Sequence, residues 1–146
     1  MKDGQRSDSG SAIIEFLVVG ILILVPLLYA TLMIIRVEAA AMASTQAVRE
    51  ASRAFMMADI AAQGFRDAQV ASNLALADQG FQVSQDALKI SCTQRCLTPE
   101  SQLQVRLSWT VDLPWLPPPF SSFVDGYPIS AEQELTIDTY RNSVDS

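Results

Sequence analysis

The sequence predicts an α+β fold in which a long N-terminal helix, first hydrophobic and then amphipathic, packs on a small antiparallel β-sheet. Three patterns predict it: an uncharged apolar run at 16–35, a helical repeat of small residues after it, and alternating apolar and polar residues near the C-terminus. We divide the 146 residues into a polar leader at 1–10, a transmembrane helix at 11–35, a helical region at 36–80 and a β domain at 81–146.

The apolar run at 16–35 predicts a transmembrane helix. It holds 20 residues without a charge, and a helix of that length covers about 30 Å, the thickness of a bilayer core. The remainder of the chain is too short to enclose such a helix as the core of a soluble domain. Pro26 removes one backbone donor inside the run, and we expect a kink there.

Composition excludes several classes of function. Charged residues make up only 18% of the chain, against about a quarter in ordinary soluble domains. A net charge of −6 argues against sequence-independent binding to nucleic acid. The chain has no histidine, which excludes imidazole-based catalysis and histidine metal sites. We therefore expect no enzyme, no cofactor, no metal and no small-molecule substrate.

The helix is predicted to continue past the membrane. No proline or glycine occurs between Val37 and Gln63, so we expect one helix of about 50 residues from Ile13, roughly 75 Å long. One face carries small and apolar residues spaced by four and three, and we call this face the alanine seam. It comprises Met33, Val37, Ala40, Ser44, Ala47, Ala51, Ala54, Ala58, Ala61 and Phe65, flanked by Ala41, Val48, Phe55 and Ala62. The seam suits packing on the chain's own domain, packing between subunits, or both.

The opposite face of this helix is predicted to be polar. It carries Glu38, Thr45, Gln46, Arg49, Ser52, Arg53 and Asp59. A second helix is expected at 67–81, with Asp67 as its N-cap and Gly80 as its C-terminal stop.

The β domain is predicted to hold three strands. Apolar residues alternate with polar ones over 103–113 and again over 131–140, and Leu88, Ile90 and Cys92 suggest a shorter strand before them. Period two with one apolar face is typical of an antiparallel sheet that covers a core on one side only. We expect a small meander that packs on the long helix.

Two features of the β domain are candidate sites. Cys92 and Cys96 are the only cysteines and fit a tight turn; a zinc site would need more ligands, so we expect a local disulfide outside the cytoplasm. The loop at 114–128 holds five of the seven prolines. Its aromatic residues either contact a partner protein or cover the open end of the sheet. They are Trp115, Phe120, Phe123 and Tyr127.

The junction between leader and helix has a specific spacing. If the chain is cut after Gly10, Ser11 becomes the first residue and Glu15 the fifth, immediately before Phe16. This arrangement resembles the processing site of type IV prepilins, a polar leader ending in glycine and followed by an apolar helix with glutamate at the fifth place. In a filament, that carboxylate would pair with the freed α-amino group of an adjoining subunit.

Residues 10–55 as a whole resemble the N-terminal signature of TadE-like proteins, minor pilins or pseudopilins of the Flp (tight adherence) pilus system. The matching parts are the junction of Gly10, Glu15 and Phe16, the apolar span with Pro26, and the small-residue helix that runs into AVREASRA. The resemblance implies a pilin-like fold, cleavage by a prepilin peptidase, and a role in pilus assembly or surface attachment. The implied partners are that peptidase, other pilin-like subunits, the Tad assembly machinery and the membrane.

The leader departs from the prepilin pattern in one respect. Asp8 and Ser9 precede Gly10, where a basic residue is common. Basic residues flank the span almost equally, so the N-inside, C-outside orientation in a bacterial cytoplasmic membrane follows from the resemblance and the cysteines. Two alternatives stay open: a static membrane-anchored binding domain that uses the aromatic loop, and a secreted domain released by signal peptidase near Ala41.

Overall fold

A computed structural model of the protein describes residues 9–112 and 126–138. The described elements are two α-helices, α1 (Ser9–Met57) and α2 (Ala61–Asp78), a 3₁₀ turn (Gln85–Ala87) and three strands, β1 (Leu88–Cys92), β2 (Gln102–Val111) and β3 (Tyr127–Thr136). The chain divides into two compact units, Met1–Arg36 and Val37–Ser146. The α+β class predicted from the sequence is confirmed.

The described part of the first unit is the N-terminal half of α1. Its apolar side chains are exposed, Phe16 to 77% and Leu22 to 71%, and the helix continues through Pro26. The most apolar 18-residue window has a mean hydropathy of 2.7. By length and composition this helix can cross a membrane, as expected for a single-pass membrane protein.

In the second unit, α1 buries most of the alanine seam. Ala40, Ala47 and Ala51 are fully buried, and Val48 and Phe55 beside them are also buried. Two flanking positions, Ala41 and Ala62, are instead exposed.

One assignment to the polar face of α1 is wrong. Ser52 is buried, and its hydroxyl donates to the Val48 carbonyl at 2.7 Å. This bond satisfies the hydroxyl inside the helix, so Ser52 can lie in the core and not on the predicted polar face.

The long helix ends earlier than its sequence predicts. It stops at Met57, and Ile60 has extended backbone angles that break the run expected to reach Gln63. The break brings α2 against the end of α1. There the Phe55 and Phe65 rings meet edge to face at 5.1 Å, and a Cβ built on Gly64 would lie 3.0 Å from the Phe55 ring. Burial of both helices in one core therefore overrides the local preference for a continuous helix.

The start of α2 also differs from the prediction, whereas its end agrees. Asp67 lies inside the helix and does not cap it, because α2 begins at Ala61. Gly80 terminates the helix as expected, with φ +78°. Its N–H donates to the Ala77 carbonyl at 2.9 Å, and the Phe81 N–H donates to the Leu76 carbonyl at 3.0 Å, which together form a Schellman motif.

The three strands form an antiparallel meander in the order β1-β2-β3, as predicted. Leu88 lies opposite Leu107 in the first pair, and Leu103 lies opposite Leu135 in the second. β3 begins at Tyr127, four residues before the predicted start at 131, and Pro128 pairs with Thr110. Proline is tolerated in this position because β3 lies at an edge of the described sheet.

The core of the second unit joins both helices to one face of the sheet. Its largest fully buried side chains are Phe55, Leu76, Leu103, Leu107 and Ile137. Alternate residues of β2 (Leu103, Val105, Leu107 and Val111) face this core, as the period of two predicted.

Candidate functional site

The predicted processing and assembly residues lie at the start of α1. Gly10 and Ser11 belong to its first turn, and Glu15 and Phe16 follow about one turn later. The side chains of Glu15 and Phe16 are exposed. Cleavage after Gly10 stays a prediction.

Glu15 is the only charged residue of α1 before Arg36. Within the described residues its carboxylate has no ion pair and no hydrogen bond. The Thr31 hydroxyl, farther along the span, is satisfied by donating to the Leu27 carbonyl at 2.9 Å. Glu15 therefore places one charge at the start of the apolar span, with no polar contact to the other described residues.

The predicted disulfide is confirmed. Cys92 and Cys96 are bonded, with their Cα atoms 5.4 Å apart, at the point where β1 leads into the connection to β2. Thr93 closes the base of this connection. Its N–H donates to the Gln102 carbonyl and its Oγ1 accepts from the Gln102 N–H, both at 3.0 Å. Leu97, with φ 65°, turns into the core after the bridge.

The predicted aromatic surface is described only in part. Trp115, Phe120 and Phe123 lie outside the described residues. Tyr127, which the sequence places in the loop, is the first residue of β3, where it pairs with Val111 and is 52% exposed. Gly126, immediately before it, has a left-handed backbone (φ +114°). The strand thus begins inside the stretch whose prolines predicted a loop.

A polar network on the outward face of the sheet has no counterpart in the sequence prediction. Arg106 of β2 forms a salt bridge with Glu132 of β3, with its Nε donating to Glu132 Oε2 at 3.0 Å. Gln104 also donates to Glu132 and accepts from Ser91 of β1, so the network crosses all three strands. The hydrogen bond from Arg106 lowers the pKa of the Glu132 carboxyl, and the bond from Gln104 acts in the same direction.

The period of two places Gln104, Arg106 and Glu132 on the outward face of their strands. It does not give the register between strands, which decides that Arg106 lies opposite Glu132. These side chains are exposed or partly exposed, and the network organises the surface of the sheet more than it stabilises the fold.

A second unpredicted contact joins α1 to the sheet. The Trp109 indole N–H of β2 donates to the Ser44 hydroxyl of α1 at 2.9 Å, and that hydroxyl donates to the Ala40 carbonyl at 2.8 Å. The signal in the sequence is a polar atom on each of two apolar faces, a serine in the alanine seam and a tryptophan among aliphatic strand residues. Buried polar atoms of this kind require a partner.

Among residues 9–112 and 126–138, no three Cys, Asp or Glu side chains lie close enough together to hold a metal ion.

Comparison with known proteins identifies no relative. No protein-family model, no curated protein and no solved structure matches the chain. The resemblance of residues 10–55 to the TadE-like signature therefore depends on the N-terminal pattern alone.

Proposed function

We propose that the chain is a minor pilin or pseudopilin that takes part in assembly of a Tad-type (Flp) pilus, or in surface attachment through it. A prepilin peptidase removes residues 1–10, and the mature chain begins at Ser11. The observation that carries the proposal is the continuous helix from Ser9, apolar and exposed through its span, with Glu15 as its single charge before Arg36.

The chemistry of Glu15 supports this proposal. A carboxylate in the apolar part of a membrane helix is unfavourable by a few kcal/mol near the centre and by less near the end. In the packed filament it would pair with the α-amino group of Ser11 on a neighbouring subunit. Two groups that are each unfavourable when buried alone then neutralise each other, and the pairing fixes the axial register between subunits.

The Cys92–Cys96 disulfide supports an extracytoplasmic location for the second unit. Such bonds form and persist in oxidising compartments and are rare in the cytoplasm. We accordingly assign the N-terminus to the cytoplasmic side and the β domain to the outside of a bacterial cytoplasmic membrane.

The proposed role is structural and not enzymatic. The absence of histidine removes the usual general base and a common metal ligand. The partners of this role are the prepilin peptidase, other pilin-like subunits, the Tad assembly machinery and the membrane. It involves no cofactor, no nucleic acid and no small-molecule substrate.

The test is the N-terminus of the mature protein. The full chain is produced together with a prepilin peptidase of a Tad system and its intact mass is measured. We expect a chain that begins at Ser11, and we expect Gly10→Val to stop cleavage because the peptidase reads the glycine before the cut. Gly20→Val is the matched control, since a Cβ at Gly20 meets no atom within 4 Å and cleavage should be unchanged.

Two other outcomes contradict the proposal. An intact leader in the presence of active peptidase favours a static membrane anchor. A mature chain that starts near Ala43 favours release by signal peptidase and excludes both the pilin and the anchor.

A further inference from the structure

The three-stranded sheet has two different edges. β2 lies in the centre, and β1 and β3 lie on either side of it. Among the described residues, neither β1 nor β3 pairs with a further strand. An unpaired edge presents backbone N–H and C=O groups that can pair with another chain.

The two edges carry opposite charges on the outward face of the sheet. Lys89 of β1 and Glu134 of β3 are both exposed, and neither forms an ion pair within the described residues. Glu132, the other carboxylate on β3, is already bound by Arg106. Lys89 is therefore the available cation of one edge and Glu134 the available anion of the other.

The directions and faces of the strands allow these two edges to meet. β1 and β3 are both antiparallel to β2 and so run in the same direction. If a second copy continues the sheet, its β1 pairs with β3 in parallel. Lys89 and Glu132 lie in one row with Arg106, and Glu134 is two residues beyond Glu132, so Lys89 and Glu134 share a face.

The inner faces of the edge strands are incompletely covered. Ile90 of β1 and Leu135 of β3 are only half-buried, whereas Val105 and Leu103 opposite them on β2 are fully buried. A neighbouring strand at each edge would remove more of this apolar surface from water.

We propose that copies of this chain associate head to tail by continuing the sheet, with β3 of one copy paired in parallel with β1 of the next and Glu134 beside Lys89. The interface joins two different surfaces, so it builds chains or rings of subunits instead of a two-fold symmetric dimer. It requires neither cleavage at Gly10 nor pairing of Glu15, and it stands apart from the proposed role in a pilus.

The experiment measures self-association of the full chain in detergent micelles by analytical ultracentrifugation. The wild-type chain should form species larger than a dimer, with an affinity that falls as salt is added. Lys89→Glu and Glu134→Lys each place like charges at the interface and should weaken association about fivefold or more. Arg49→Glu, the same reversal on the exposed face of α1, is the control and should leave association unchanged.

Mixing the variants separates this geometry from other contacts. In an equimolar mixture of Lys89→Glu and Glu134→Lys, the reversed edge of each variant meets the reversed edge of the other, and the two unchanged edges meet as in the wild type. Opposite charges then face each other at every contact, so association should return. The double variant that carries both Lys89→Glu and Glu134→Lys should associate for the same reason.

Circular dichroism spectra that match the wild type establish that each variant is folded. A monomeric wild-type chain, or association that neither reversal weakens, overturns the proposal.

Discussion

Two buried serine hydroxyl groups lie on the face of α1 that packs in the second unit. Ser44 and Ser52 lie in its buried face, and each donates to the carbonyl four residues earlier. Ser44 differs because its oxygen also accepts from the Trp109 indole. This hydrogen bond links α1 directly to β2.

We expect Ser44→Ala to destabilise the second unit by about 1–2 kcal/mol, because it leaves the Trp109 N–H without its acceptor in a partly buried place. The measurement is urea unfolding of the full chain in detergent micelles, followed by tryptophan fluorescence.

Thr45→Ala is the matched control. Its hydroxyl makes the same bond to the carbonyl four residues earlier, at 3.0 Å, but the side chain is exposed and makes no bond to the sheet. We expect a change of at most about 0.5 kcal/mol. Equal effects of the two substitutions would show that the Trp109 bond contributes nothing.

Single residues show the limit of reading polarity from a sequence. The sequence places Ser44 in the alanine seam and Ser52 on the opposite face of α1, yet both are buried. The bond from the Ser52 hydroxyl back to the Val48 carbonyl satisfies the hydroxyl within the helix and allows Ser52 to be buried. The two cysteines are easier to interpret, because their short spacing admits few other structures.

At the scale of elements, a regular period predicts β2 closely but does not predict the start of β3 or the helix boundaries. The alternation around Leu103 and Leu107 predicts β2 within two residues at each end. The break at 58–60 carries no proline or glycine, and Phe55 and Gly64 pack against each other across it. A contact between two elements, such as this one between α1 and α2, cannot be predicted from the sequence of either element alone.

The C-terminal end of α2 is an element boundary that the sequence does encode. Gly80→Ala places a Cβ on a residue with φ +78°, and we expect a loss of about 1–2 kcal/mol in the free energy of unfolding. No atom lies within 4 Å of a Cβ at this position, so the effect is one of backbone conformation alone.

Gly80→Asn separates conformation from side-chain size, since asparagine adopts the left-handed region more readily than alanine. It should lose less stability than the alanine variant in the same urea titration. An asparagine variant that is less stable than the alanine variant would show that the Schellman geometry is not what Gly80 supplies.

The whole molecule combines an apolar N-terminal unit and a compact second unit in one chain. The sequence predicts the apolar part of α1, because an uncharged run of 20 residues leaves few alternatives. It does not predict the polar network from Ser91 to Glu132, which depends on how three distant segments align. The faces of the strands are readable from the chain, and the register between them is not.

At this scale the proposed role in a pilus makes its clearest prediction at Glu15. In a host with a Tad system, we expect Glu15→Ala to be inserted and cleaved normally but to enter surface pili more than about tenfold less. In the proposed filament, the neutral side chain would suit the lipid but would leave the α-amino group of the adjoining subunit buried without a counter-charge. The measurement is the amount of the chain in sheared surface filaments, with cleavage followed by mass spectrometry.

Glu38→Ala is the control, because Glu38 is the next carboxylate along α1 and its side chain is exposed beyond the apolar run. It should leave both cleavage and incorporation unchanged. Normal incorporation of the Glu15 variant would exclude the proposed charge pairing.

The buried alanines of α1 have a consequence for the entropy of folding. Ala40, Ala43, Ala47 and Ala51 have no rotamers to lose when the helix docks, whereas leucine or methionine in their places would each lose conformational freedom on burial. Alanine also has the highest intrinsic preference for the helical state. These four positions of α1 therefore enter the core already in their final side-chain conformation, and ordering them opposes docking very little.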